Sequence, residues 1–136
     1  MMPLGETLGF WAEQLEAGSA VVSMDVDKRH ANVLGVTHGG LSFVLADTAI
    51  GLAFLGFLAD GEVGITVEMK INFLRPVWCT RLRAEARTVH HGRRLSMMEC
   101  DVRNAGGHLV ARATATMMRL TEDTAKGREN SYQVGQ

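Results

Sequence analysis

Apolar and polar residues change period several times along this chain, and those changes predict its elements. Residues 5–17 place Leu8, Trp11, Ala12 and Leu15 three and four positions apart, the spacing of a short amphipathic helix. Ser19 to Asp27 then alternates, with Ala20, Val22, Met24 and Val26 on one side, which predicts a strand with one buried face. Residues 28–37, which include Asn32 and Gly35, carry no period and predict a loop. Thr37-His38-Gly39-Gly40 opens a long apolar run that predicts a helix to about Phe57, stopped by Asp60-Gly61. Residues 65–74 alternate most clearly. Ile65, Val67, Met69, Ile71 and Phe73 share one face and Thr66, Glu68, Lys70 and Asn72 the other, until Arg75-Pro76 ends the ladder. Three more strands follow near 79–90, 93–104 and 108–119, separated by turn signals at His91-Gly92 and Asn104 to Gly107.

The order is therefore helix, strand, long helix, then four strands joined by short turns, which favours an antiparallel sheet of five strands in an α+β fold. A long helix that is apolar nearly all round needs cover on every side. A curved sheet wrapped around it supplies part of that cover, and a second subunit can supply the rest. Ala111, Ala113 and Ala115 in the last strand are small enough to let a helix pack close to the sheet. One domain over residues 1–120 is expected, with 121–136, polar and aperiodic, as a flexible tail. No internal repeat is visible.

Composition narrows the classes. The chain has 136 residues, 21% of them charged and 46% hydrophobic, which suits a folded domain and not a disordered chain. Its formal net charge is −1 and its basic residues form no long run, so there is no electrostatic case for nucleic-acid binding. Cys79 and Cys100 read as reduced thiols, with no neighbouring ligand pair that would suggest zinc. The first 18 residues carry glutamates and no Lys or Arg, so a secretory leader is not expected and a cytoplasmic location is. Residues 39–59 are long enough to span a bilayer. However, Asp47 near their centre would cost roughly 2.5–3.5 kcal/mol there, and four glycines interrupt the run, so a helix in a globular domain is the better reading.

Asp47 is the residue that most needs explaining, a carboxylate in the middle of a helix that otherwise reads as core. His38-Gly39-Gly40 opens the same helix, where free backbone N–H groups and the positive end of the helix dipole gather. Glycine lets a ligand carbonyl approach that backbone, and the same donors would stabilise an oxyanion. His38 suits a general base, an orienting donor or a cap, and its type alone does not choose among them. Asn32 lies in the preceding loop, and Thr66 stands opposite the apolar row of its strand. Arg93 and Arg94, in a turn after Gly92, are candidates for phosphate contact. His90-His91 is no metal pair, because adjacent strand residues face opposite ways. There is no nucleotide-binding glycine loop and no serine nucleophile elbow.

The segment NVLGVTHGGLSFVLADTA at 32–49 resembles the signature of hot-dog fold acyl-CoA thioesterases, most closely the phenylacetate-pathway (PaaI-like) branch. TVEMKINFLRP at 66–76 and GHLVARATAT at 107–116 resemble later parts of the same family, so the likeness covers roughly residues 19–120. The resemblance implies hydrolysis of acyl-CoA thioesters without a metal or other cofactor, coenzyme A being part of the substrate. It implies homodimers assembling into a homotetramer, with active sites between subunits. Asp47 of one chain would act as general base on water or as nucleophile. Asn32, His38 and Gly39 would come from the partner, with the Gly39 N–H polarising the thioester carbonyl. Thr66 would orient water near Asp47, and Gly40, Arg93 and Arg94 would bind substrate. A related branch carries glutamate where this chain has Asp47. Leu41, Phe54, Phe57 and Phe73 are candidates for an apolar acyl pocket.

Two other activities compete with this one. A hot-dog hydratase carries His five residues after its Asp, and here that position is Leu52. A non-catalytic acyl-CoA sensor of this fold would carry a fused DNA-binding domain, for which the first 18 residues are too short. A purely structural role for Asp47 does not account for Asn32 and His38-Gly39-Gly40 standing beside it in the pattern.

Overall fold

The computed structural model describes residues 2–121 and residue 123. A short helix α1 (Pro3–Leu8) ends at Gly9, whose φ of 86° is a left-handed turn that glycine adopts without strain. Strand β1 (Phe10–Glu16) follows and turns back into β2 (Ser19–Asp25). This corrects the expected helix over 5–17. Phe10 to Glu16 pairs along β2, from Phe10↔Met24 to Glu16↔Ser19, so ladder hydrogen bonds override the helical spacing of Trp11 and Leu15. Both side chains are exposed on this edge strand.

A 3-10 turn (Lys28–His30) and a loop lead to the long helix α2 (Gly39–Leu55). Strands β3 (Glu62–Phe73), β4 (Arg81–His91), β5 (Leu95–Arg103) and β6 (Leu109–Thr121) complete the chain. All pair antiparallel in one sheet of order β1-β2-β4-β5-β6-β3, so the sheet has six strands and not five, β1 being the addition. The tail expected over 121–136 lies outside the described residues, except for Thr121, which closes β6, and Asp123. Among the described residues, no helix is long and apolar enough to cross a membrane.

The sheet wraps one side of α2. Leu45, Ala46, Ala49, Ile50 and Ala53 of the helix are fully buried against Val22, Met24, Leu82, Ala84, Cys100, Val102, Ala111 and Ala113 of the strands. Alanines at the contact let the helix lie close, as their spacing suggested. Among the described residues, the other side of α2 has no such cover. Gly40, Asp47 and Gly51 are only half-buried there, and Phe43 and Leu55 are exposed. Burial pushes the Cys100 thiol up to about 12, so it is inert packing, while Cys79 is exposed in the β3–β4 connection.

The outer face of the sheet is an ion-pair lattice centred on Asp101. Arg112 Nε donates to Asp101 Oδ1 at 2.7 Å, and Arg87 and Arg103 each lie 3.3 Å from Oδ2. The Arg112 hydrogen bond, aided by one from Arg87, holds this carboxyl below the usual carboxylate range. A folded-state pKa below the unfolded one stabilises the protein above about pH 4, and that contribution is lost as pH falls through the folded value. Asp101→Asn is therefore expected to cost about 2 kcal/mol at neutral pH. The cost should shrink below pH 4, a trend that urea unfolding at pH 7 and pH 3.5 would read directly.

Candidate active site

The approach to α2 is built by histidines. Asp27 and His30 form a reciprocal cap, with His30 Nδ1 accepting from the Asp27 N–H at 3.0 Å. His30 Nε2 then donates to the Leu8 carbonyl at 3.0 Å, tying the loop to α1. The His30 carbonyl accepts from the His38 N–H at 2.8 Å and sets the residue that opens the helix. Sequence reasoning passes over His30, although its place three residues after Asp27 is a capping signal.

His38 is the N-cap of α2. Its Nδ1 accepts from the Gly40 N–H at 2.8 Å, and its carbonyl accepts from the Leu41 N–H. Within the described residues His38 therefore caps the helix through Nδ1. The Gly40 N–H is engaged by that ring. The Gly39 N–H makes no hydrogen bond within the described residues and is the open donor at the positive end of a 17-residue helix. A Cβ at Gly39 would sit 3.0 Å from the Phe73 ring, so glycine here lets that ring lie on the helix start. Asn32 is turned in on its own loop. Its Oδ1 accepts from Leu34 N–H at 2.8 Å and Val36 N–H at 3.3 Å, and Val33 and Leu34 are exposed on this loop.

Asp47 does not lie in the core, as the apolar run had suggested. It stands half-buried on the side of α2 that the sheet leaves open, and Thr66 Oγ1 donates to its Oδ1 at 2.9 Å. That bond depends on a β-bulge. The register of β3 against β6 shifts between Thr66↔Met117 and Glu68↔Thr116, with Val67 as the extra residue. Strict alternation would put Thr66 beside Glu68 on the outer face. The bulge moves it to the helix side, with Met69, Ile71 and Phe73, whose partners Ala115, Ala113 and Ala111 are buried. Ile65, expected on the helix side, faces outward with its partner Met118.

One chain does not unite all these groups. Eight residues separate Gly39 from Asp47 on one helix, a rise of about 12 Å, too far for one carbonyl to meet both. Arg93 and Arg94 lie elsewhere again, lining a 330 Å³ cavity with Glu62, Arg119, Leu120 and Thr121. Arg119 is the member that sequence reasoning missed. Its backbone N–H donates to the Arg94 carbonyl at 2.7 Å, and its Nε lies 3.5 Å from Glu62 Oε2, an ion pair without hydrogen-bond geometry. Of the four residues proposed for an acyl pocket, Phe73 lines a cavity at the start of α2. Phe54 is fully buried, Leu41 packs on the core, and Phe57 stacks on His91 with ring centres 3.9 Å apart. Among the described residues there is no group of three or more His, Cys, Asp or Glu placed to hold a metal ion.

A curved antiparallel sheet closed on one long helix, with a carboxylate on the helix's open side and a free N–H at its start, defines a hot-dog fold of thioesterase type. Residues 34–111 match the thioesterase superfamily, and the chain belongs to that family. It is 33% identical over 111 residues to a putative esterase of Archaeoglobus fulgidus, covering 81% of this chain and 70% of that one. It is also 33% identical over 100 residues to the proofreading thioesterase EntH of Klebsiella pneumoniae, covering 74% and 73%. A mutant of the phenylacetic acid degradation protein PaaI from Thermus thermophilus superposes with a TM-score of 0.81 at 32% identity, covering 88% of this chain and all of that one. The protein is thus a thioester hydrolase, and its relatives place it in the PaaI-like branch.

Proposed function

We propose that the protein hydrolyses acyl-CoA thioesters to the free acid and coenzyme A, at sites formed between two copies of the chain. The observation that carries this reading is the Thr66–Asp47 hydrogen bond on the open side of α2. With Oδ1 held by Thr66, Oδ2 is free to take a proton from water. The water oxygen bonds the thioester carbon, and the Gly39 N–H of the partner copy stabilises the oxyanion. Collapse of the intermediate breaks the C–S bond, and the proton held by Asp47 passes to the leaving thiolate. These steps draw on the chain's own groups and need no metal or redox cofactor.

Two features favour a second copy. Among the described residues, the outer edge of β3 has no partner along its 12 residues, so its backbone groups offer a template for another strand. Phe43 and Leu55 on α2 and Val33 and Leu34 on the loop remain exposed in one chain, although they are apolar. Pairing β3 with its twin would continue the sheet and bring the helix start of one chain towards Asp47 of the other. Two such dimers would make the tetramer. Arg93, Arg94 and Arg119 supply the positive charge that the phosphates of coenzyme A require. Asn32 shapes the loop that presents His38 and Gly39.

The test is thiol release from acetyl-, hexanoyl-, dodecanoyl-, phenylacetyl- and benzoyl-CoA. Turnover of at least one is expected; tight binding without thiol release would favour the sensor reading and sink this one. Thr66→Val should lower kcat about tenfold with little change in KM, because it removes a hydrogen bond to a charged group while keeping the side-chain shape. Thr66→Ser should restore most of the rate. Equal loss in both variants would mean that the hydroxyl does not act through Asp47.

A further inference from the structure

Among the described residues His30 is the one buried histidine, 7% exposed, and the steps proposed above give its ring no part. Both ring nitrogens are nonetheless engaged. Nδ1 accepts from the Asp27 N–H at 3.0 Å, and Nε2 lies 3.0 Å from the Leu8 carbonyl. A backbone N–H can only donate and a carbonyl can only accept, so these partners select the neutral ring with its proton on Nε2. The ring thus pins one point of the chain from two directions, the turn at 27–30 and the end of α1. What it pins is the base of the loop that delivers Gly39. Ala31 and Thr37 close that loop with a β-bridge, and the His30 carbonyl beside the bridge accepts from the His38 N–H at 2.8 Å. The tip of the loop is no anchor, because Val33 and Leu34 are exposed. A second hold lies on the other side, where the Thr37 N–H donates to the Val77 carbonyl at 2.8 Å.

We propose that His30 is a positioning residue of the active site, whose ring fixes where the Gly39 N–H stands and so couples α1 to the oxyanion donor. This role rests on the thioester hydrolysis proposed above, in which that N–H receives the developing charge. A donor of this kind acts only at hydrogen-bond distance from the oxygen of the transition state, and a displacement of about 1 Å forfeits most of its effect. The start of a helix is also the part least held by the helix itself, because its first N–H groups have no partner in the ladder. Its place therefore depends on what grips the residues just before it. His38 directly precedes Gly39, and its N–H is held by the His30 carbonyl. Loosening the His30 ring frees that carbonyl to move, and His38 and Gly39 move with it. Asp47 stands in the interior of α2, where the helix ladder holds the backbone, so the same loosening leaves the base in place.

The experiment is a double-mutant cycle between His30 and Gly39, read as kcat and KM for the best substrate of the panel above. Methionine at position 30 fills much of the same space and bonds to neither partner. His30→Met is expected to lower kcat about tenfold with KM within about threefold of wild type. His30→Gln, whose amide still reaches the Leu8 carbonyl, is expected to keep kcat within about threefold of wild type. In a Gly39→Pro background the donor that His30 places is gone, so adding His30→Met should change kcat by less than about twofold. A tenfold loss in both backgrounds would mean that His30 acts on something other than this donor, and would overturn its role. So would an unchanged kcat in His30→Met, or an equal loss in His30→Gln and His30→Met. Should His30→Met fail to fold, His30→Asn takes its place in the cycle. Its Oδ1 still accepts from the Asp27 N–H while its amide stops short of Leu8, and the expected loss is about fivefold, again only where Gly39 keeps its N–H. A wild-type protein that releases no thiol, or a Gly39→Pro variant of undiminished kcat, would instead bring down the proposed function and this role with it, and both are read before any change at His30.

Discussion

Asp47→Ala is expected to lower kcat by about 100- to 10,000-fold while leaving the protein folded and assembled. Asp47 lies in the interior of α2, where alanine is the best helix former, and it is only half-buried, so its removal opens no core cavity. Its one side-chain hydrogen bond among the described residues comes from Thr66, which is itself exposed and can turn to solvent. The melting temperature should therefore hold or rise, and that combination separates a catalytic group from a structural one. Asp47→Asn sharpens the point. Its amide oxygen still accepts from Thr66 Oγ1, but the group cannot take a proton from water. Near wild-type turnover in Asp47→Asn would end the case for a carboxylate base. Thiol release and a thermal melt on the same preparations are sufficient.

Gly39→Pro should lower kcat by about 100- to 1,000-fold, the usual cost of losing an oxyanion donor. A backbone donor is rarely removable by substitution, but this one is. Gly39 is the first helical residue, where proline is well tolerated, and His38 before it already has φ −60° and ψ 127°, the extended conformation a following proline demands. Gly39→Ala is the control, since it keeps the N–H and adds a Cβ whose nearest neighbour, the exposed Phe73 ring, needs to move only a few tenths of an ångström. Mixing the two dead variants then tests whether the site spans two chains. In a mixed dimer of Asp47→Ala and Gly39→Pro, one site would carry both lesions and the other neither. Random mixing after unfolding and refolding should restore about a quarter of wild-type activity, as two-fold symmetry requires. A site held within one chain would give no recovery at all.

The candidate groups are legible from residue type and spacing. The alternation at 19–25 and 81–119, the apolar run from Gly39 and its capping His38 each follow from local rules that one stretch of chain obeys by itself. The segment after Gly9 misleads because Leu8, Trp11, Ala12 and Leu15 fit a helical stripe. What decides its state is the neighbouring edge of β2, which no local pattern records. Thr66 stands out for its hydroxyl, but alternation puts it on the wrong face, since a bulge of one residue at Val67 is set by pairing with β6 and leaves no mark on the pattern. Arg119 escapes notice because the pairing that brings it beside Arg93 and Arg94 joins residues far apart in sequence.

Sequence by itself determined the set of candidate groups. It put a carboxylate in a helix that begins with His-Gly-Gly, a hydroxyl in the next strand, and small residues where helix and sheet meet, because composition and period act over a few residues. Tertiary structure decided how those groups meet. It turned Asp47 to the side of the helix that the sheet leaves bare and brought Thr66 to it through a bulge. It held Gly39 about 12 Å away along the same rigid helix, too far for the two to meet one carbonyl within one chain.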